Sequence, residues 1–220
     1  TIPAELGELM GLATIDLSFN ALVGHMLPWS APSVQLQDLS LSNNRLNGSI
    51  PAEIGHILPA IYKLNLSGNT LTGNLPQSLL CNHHLSRLDV SNNNLSGEIL
   101  FSCPDGDEGS SSALKTFNAS NNHFSGSLDV SISNFTGLTS LDIHSNSLNG
   151  SLPSAVCNVT TLNYLDLSSN DFSGTIPCGI CDMFNLVFAN FSGNHIVGTY
   201  NLADCAANNI NHKAAHPSYR

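Results

Sequence analysis

Apolar and polar positions recur along this chain in one fixed order, seen in Leu162-Asn163-Tyr164-Leu165-Asp166-Leu167-Ser168-Ser169-Asn170-Asp171-Phe172-Ser173-Gly174-Thr175-Ile176-Pro177. The alternation Leu165-Asp166-Leu167 has the two-residue period of a strand with one buried face. The same frame returns at Asn20, Asn44, Asn69, Asn93, Asn122, Asn146, Asn170 and Asn194, each followed by an apolar residue two positions later and a glycine four positions later. The distance from Asn20 to Asn194 is 174 residues, or seven periods of 24 with six left over. One extra residue falls between Asn44 and Asn69 and five between Asn93 and Asn122. A period this short cannot bury its own leucines, so stability must come from stacking neighbouring coils, one short strand each.

The asparagine marks the turn. Its amide both donates and accepts, so a buried column of asparagines can satisfy turn backbone groups that strands do not reach. The extension Gly-x-Ile/Leu-Pro follows at Gly48-Ser49-Ile50-Pro51, Gly73-Asn74-Leu75-Pro76, Gly150-Ser151-Leu152-Pro153 and Gly174-Thr175-Ile176-Pro177. These motifs resemble the plant-specific class of leucine-rich repeat, found in receptor-like kinases, receptor-like proteins and secreted inhibitors. The resemblance covers Thr1 to about Cys205. It implies a right-handed α/β-type solenoid of 24-residue repeats with its parallel sheet on the concave face and irregular or 3-10 coil backs. More narrowly, Phe101-Ser102-Cys103-Pro104, Phe117-Asn118-Ala119-Ser120-Asn121-Asn122-His123-Phe124 and Pro177-Cys178-Gly179-Ile180-Cys181 are similar to the cereal anther receptor kinases that limit sporocyte number, near the end of their ectodomain.

The frame organises the chain into about eight repeats over 1–198, a cap with Cys205 over 199–207, and a polar juxtamembrane stalk over 208–220 that is expected to be disordered. Thr1-Ile2-Pro3 reads as the closing part of a repeat whose strand is missing, so the sequence is expected to be a fragment. The resemblance implies a membrane span and a Ser/Thr kinase domain in the parent protein, and contact with the membrane only through that absent segment. The insertion at 104–112 is small and polar, and a mobile bulge on the coil back is expected there.

Charge narrows the partners. Six Lys+Arg against 16 Asp+Glu give a formal charge of −10, which repels phosphate backbones and anionic lipid, and nucleic acid is excluded as a partner. Six cysteines, Cys81, Cys103, Cys157, Cys178, Cys181 and Cys205, fit an oxidising compartment. Only neighbouring coils bring alpha carbons within the ~7 Å a disulfide needs. Repeat phase favours Cys81 with Cys103, Cys157 with Cys178 and Cys181 with Cys205, the alternative being an exchange of partners among the last four. Eight glycosylation acceptors, Asn47, Asn65, Asn94, Asn118, Asn134, Asn149, Asn158 and Asn190, agree with secretion, although a repeat rich in Asn and Ser also creates such triplets by accident.

No phosphate-cradling glycine loop, nucleophile elbow or kinase signature is present, and neither a cofactor nor a metal site is expected. The aspartates Asp16, Asp89, Asp142 and Asp166 share one phase, four before the asparagine, where a solvent-facing column is expected. Positions six before it are Thr14, Asp38, Lys63, Arg87, Thr116, Ser140, Tyr164 and Phe188. Together they form a grid running from a basic middle, Lys63 and Arg87, to an acidic and aromatic end, Asp142, His144, Tyr164, Asp166 and Phe188. Aromatics beside charges are typical of recognition hot spots, so these seven residues are the candidate ligand site. Lys63 and Arg87 have Asp38 and Asp89 as possible neutralising partners. The resemblance implies an ectodomain at the outer face of the plasma membrane that binds a secreted peptide or small cysteine-rich protein and signals through a leucine-rich-repeat co-receptor kinase. The competing reading is a secreted inhibitor of microbial wall-degrading enzymes.

Overall fold

A computed structural model describes residues 1–9, 11–26, 32–103 and 113–198. The insertion at 104–112 and the expected cap and stalk lie outside the described residues. Within them the chain winds into coils, each contributing one strand to a parallel sheet in the order Thr14–Asp16, Asp38–Ser40, Lys63–Asn65, Arg87–Asp89, Thr116–Asn118, Ser140–Asp142, Tyr164–Asp166 and Phe188–Asn190. The central residue of these strands is buried from Ile15 to Leu165, while its two neighbours point to the other face, as the two-residue period requires.

The expected turn at the asparagine is followed by a second strand in each coil. Val23–His25, Arg45–Ser49, Thr70–Gly73, Asn94–Gly97, His123–Ser127, Ser147–Ser151, Asp171–Gly174 and His195–Ile196 form a second parallel sheet down one flank. The apolar residue two after the asparagine is buried from Leu46 to Phe172, and the glycine four residues on has a φ between 76° and 103° in every coil. That left-handed backbone is why glycine recurs there. The backs of the coils combine 3-10 segments, such as Val130–Asn134 and Ser154–Asn158, with single α-helical turns at Ile54–Ile57 and Gln77–Leu80.

Between sheets and backs runs one apolar column from Ile2 to Leu186. Beside the insertion, Phe101 meets Phe117 and Phe135 edge to face at centroid distances of 6.2 and 5.1 Å, a geometry favoured by the ring quadrupoles. The coils on either side of the insertion are thereby stacked as closely as the others.

The asparagine column is the polar counterpart of that core. Asn122 is 6% exposed. Its Nδ2 donates to Val90 of the preceding coil at 3.0 Å and to Ala119 and Ser120 of its own turn at 3.2 Å, and its Oδ1 accepts the Leu95 N–H at 3.0 Å. Asn44, Asn69, Asn93, Asn146, Asn170 and Asn194 repeat the pattern. Asn20 bonds only the carbonyls of its own turn, at Leu17 and Ser18.

Cys81 and Cys103 are joined, with Cα atoms 5.7 Å apart and a sequence separation of 22. Replacing both with serine is expected to lower the unfolding free energy by about 2–3 kcal/mol through restored loop entropy; an unchanged urea midpoint would contradict it. Cys181 is in a disulfide, and its expected partner Cys205 lies outside the described residues. The expected Cys157–Cys178 bond is not formed. The offset of the two coil backs sets Cys157 against Gly179 instead, where a Cβ would stand 3.0 Å from the Cys157 Cβ and 3.2 Å from its Sγ. Burial pushes the Cys157 thiol up to about 11, with Cys178 and Asp182 adding to the rise.

Candidate functional site

The outward residues of the first sheet align across strands as the repeat phase requires. Lys63 pairs in register with Arg87, Arg87 with Thr116, Thr116 with Ser140, Ser140 with Tyr164, and Tyr164 with Phe188. The parallel column is Asn65, Asp89, Asn118, Asp142, Asp166 and Asn190.

This second column differs from the expected row of solvated carboxylates. Asp166 is buried at 7% exposure, and Asp89 and Asp142 are half-buried. The side chains fold back instead of pointing away. Asp16, Asp89 and Asp166 each accept both the backbone N–H and the hydroxyl of the serine two residues on, at 2.9–3.0 Å and 2.6–2.7 Å. Such a turn bends the chain out of the strand toward the ladder asparagine. At Asp16 the two bonds from Ser18 hold the carboxyl below its ordinary range.

His144 stands where Ser18, Ser42, Ser67, Ser91, Ser120, Ser168 and Ser192 stand in the other coils. Its Nδ1 lies 2.6 Å from Asp142 Oδ1, and its Nε2 lies 3.2 Å from Asn121 Nδ2. A neutral ring satisfies both contacts when Nδ1–H donates to the carboxylate and Nε2 accepts from the amide. The imidazole thus replaces a hydroxyl in the turn and extends the polar surface toward the preceding coil.

At the far end the Tyr164 and Phe188 rings stack with centroids 4.5 Å apart and planes 8° from parallel. Both are half-buried. Burial, followed by the Asp142 and Asp166 carboxylates, raises the Tyr164 hydroxyl above its ordinary range, so it remains a hydrogen-bond donor at neutral pH.

The basic end is divided. Lys63 bridges to Asp38 at 3.4 Å with both side chains over a third exposed, a pair worth under about 1 kcal/mol in water. Among the described residues no carboxylate comes within 4.0 Å of the exposed Arg87 guanidinium. Asp89 therefore leaves Arg87 unneutralised, being engaged by Ser91. Sequence reading overlooked the neighbours of this arginine. Tyr62, near Ser86, Lys115 and Arg87, has its hydroxyl lowered in pKa by them, in that order of effect. Lys115 and Tyr62 sit seven before their asparagines, one position outside the pattern used to define the grid, and that phase was the available signal.

The two ends are connected. A depression of about 380 Å³ runs over five strands from Lys63 and Arg87, past Asp89, Thr116 and Ser140, to Asp142 and Tyr164. His144, Asp166 and Phe188 are outside its lining and adjoin its acidic end through Asp142 and Tyr164.

Comparison with known proteins bears on this face. The family model described as Leucine Rich Repeat matches residues 35–57, 60–82, 84–105, 113–135, 137–159 and 161–183. The rice leucine-rich repeat receptor protein kinase MSP1 is 70% identical over 98 residues, which is 44% of this chain and 8% of that protein. The Arabidopsis receptor kinase HAESA ectodomain, solved with an N-terminally extended IDA peptide hormone, superposes with a TM-score of 0.81 at 34% identity, covering 93% of this chain and 33% of that one. HAESA solved with IDA and the co-receptor SERK1 superposes with a TM-score of 0.71 at 29% identity, covering 91% and 36%. The match therefore spans under a tenth of the length of the rice kinase and about a third of the solved ectodomain.

Proposed function

This chain belongs to the leucine-rich-repeat family, as part of a plant receptor ectodomain, and we propose that it recognises a secreted peptide or small cysteine-rich protein laid across its first sheet. The observation that carries the proposal is the continuous depression, with Arg87, unneutralised among the described residues, at one end and Asp142 beside Tyr164, one ring of the stacked pair, at the other. Such a surface selects a partner by charge order as well as by apolar contact. Tyr164 and Phe188 would anchor the partner, Asp142 would receive its cations, His144 would offer a polar contact, and Asp166, buried and engaged by Ser168 and Asn190, would hold the acidic end in shape. Lys63 and Arg87 would hold an acidic group. The likeness to MSP1 supports membership of a receptor kinase acting at the outer face of the plasma membrane, and the HAESA complex supports a leucine-rich-repeat co-receptor as the second partner. Recognition is the role of this segment; signalling through a kinase belongs to the whole protein.

The test uses the complete ectodomain of the parent protein and calorimetry against secreted cysteine-rich anther proteins. Lys63→Glu with Arg87→Glu is expected to weaken binding at least tenfold, whereas Arg45→Glu on the second sheet leaves it unchanged. Binding that survives the double reversal but fails on the Arg45 change would place the partner on the flank.

A further inference from the structure

The eight glycosylation acceptors separate into two structural classes. Asn47, Asn94 and Asn149 lie exposed on the second sheet, and Asn134 and Asn158 lie exposed at the ends of two successive 3-10 backs. Asn65, Asn118 and Asn190 instead occupy the column four before the ladder asparagine, half-buried between neighbouring strands.

In these three the acceptor amide is already engaged by the residue that completes the triplet. Asn65 Oδ1 accepts the Ser67 N–H and hydroxyl at 3.1 and 2.7 Å, Asn118 accepts those of Ser120 at 3.0 and 2.7 Å, and Asn190 accepts those of Ser192 at 3.2 and 2.8 Å. The same bonds form where the residue is aspartate, at Asp16, Asp89 and Asp166. The Asn-x-Ser triplet is thus the amide form of a turn that the repeat requires. The amide nitrogen, to which sugar would be attached, has little space. In Asn190 it lies 3.3 Å from Asp166 Oδ2 on the preceding strand. Asn65 and Asn118 have Ser40 and Asp89 as the corresponding neighbours, and strands in a sheet are only about 4.8 Å apart.

We infer that N-linked sugar is carried by Asn47, Asn94, Asn134, Asn149 and Asn158 and is absent from Asn65, Asn118 and Asn190. Carbohydrate then covers the second-sheet flank and the coil backs. The first sheet remains bare, as does the opposite flank, where Tyr62, Phe184 and Val187 are exposed. A protein partner has access to the whole grid and to that side. This inference rests on the extracellular reading given above.

Intact-glycopeptide mass spectrometry of the full 220-residue chain, secreted from plant cells, decides it. Sugar is expected on more than half of the molecules at each of the five exposed acceptors and on under about one in twenty at the three turn asparagines. The triple variant Asn65→Asp/Asn118→Asp/Asn190→Asp, which restores the turn found at Asp16, is expected to keep the same glycan mass and to melt within about 2 °C of the parent. Substantial sugar on any turn asparagine, or a loss of glycan mass in the triple variant, overturns the partition alone. A chain bare at all eight acceptors overturns the extracellular reading together with it.

Discussion

Replacing Asn122 with leucine is expected to cost about 2–4 kcal/mol of stability, more than the same change at Asn20. The three carbonyls that its Nδ2 serves each keep another donor: Val90 receives Asn93, Ala119 receives Asn146, and Ser120 receives the Asn92 N–H. The Leu95 N–H is different, being a buried donor of the preceding coil whose side-chain acceptor is Asn122 Oδ1. Orphaning such a donor costs roughly 1–3 kcal/mol, and forcing a branched side chain into a space shaped for a planar amide adds about 1 more. Asn20→Leu supplies the internal control. That asparagine is exposed and bonds only its own turn, so its loss is expected to cost under about 1 kcal/mol. Urea unfolding of both variants, followed by amide exchange at Leu95, tests the difference. Equal costs at the two positions would mean that turn geometry, not the bond between coils, is what the asparagine provides.

Truncating the ring pair should separate recognition from stability. Tyr164→Ala/Phe188→Ala in the complete ectodomain is expected to weaken ligand binding at least tenfold, within the ~1–4 kcal/mol typical of buried interface aromatics. The stacked pair is worth only about 0.5–1.5 kcal/mol to the fold, because both rings remain half-exposed and the core beneath them is filled by Leu165 and Leu186. Phe184→Ala is the comparison variant. Its ring is 75% exposed and lies off the grid, so affinity should not change if the first sheet alone is used. Melting temperature and affinity measured on the same samples distinguish the outcomes. Unchanged affinity with a lowered melting temperature would mean that Phe188 covers the last coil with Tyr164 as its support, and that the partner binds elsewhere.

The column of aspartates shows why the site was only partly legible. Their phase was readable from the sequence, and so was their place on the strand face. Their burial was not: Asp16 and Asp166 bond the serine two residues on in the same way, yet Asp16 on the first strand is exposed and Asp166 between two strands is buried. His144 carries the same lesson in reverse. Its departure from a column of serines is visible by alignment of the repeats, yet its contact with Asn121 crosses from one coil to the next. The Cys157–Cys178 pairing failed for a related reason. A period of 24 says which coils are neighbours, but an offset along the backs decides which side chains touch.

What the sequence by itself determined is the repeating frame: the strand and its buried leucines, the ladder asparagine, the recurrent glycine, and hence the stack and its outward grid. Each follows from a local rule applied eight times, and agreement among eight copies makes the rule visible without coordinates. Only the tertiary structure decided what happens between copies. The second sheet, the depression joining Arg87 to Tyr164 and the pairing of Lys63 with Asp38 all arise from distances between adjacent coils. Those distances depend on the offset of each coil against the next, which no single repeat encodes.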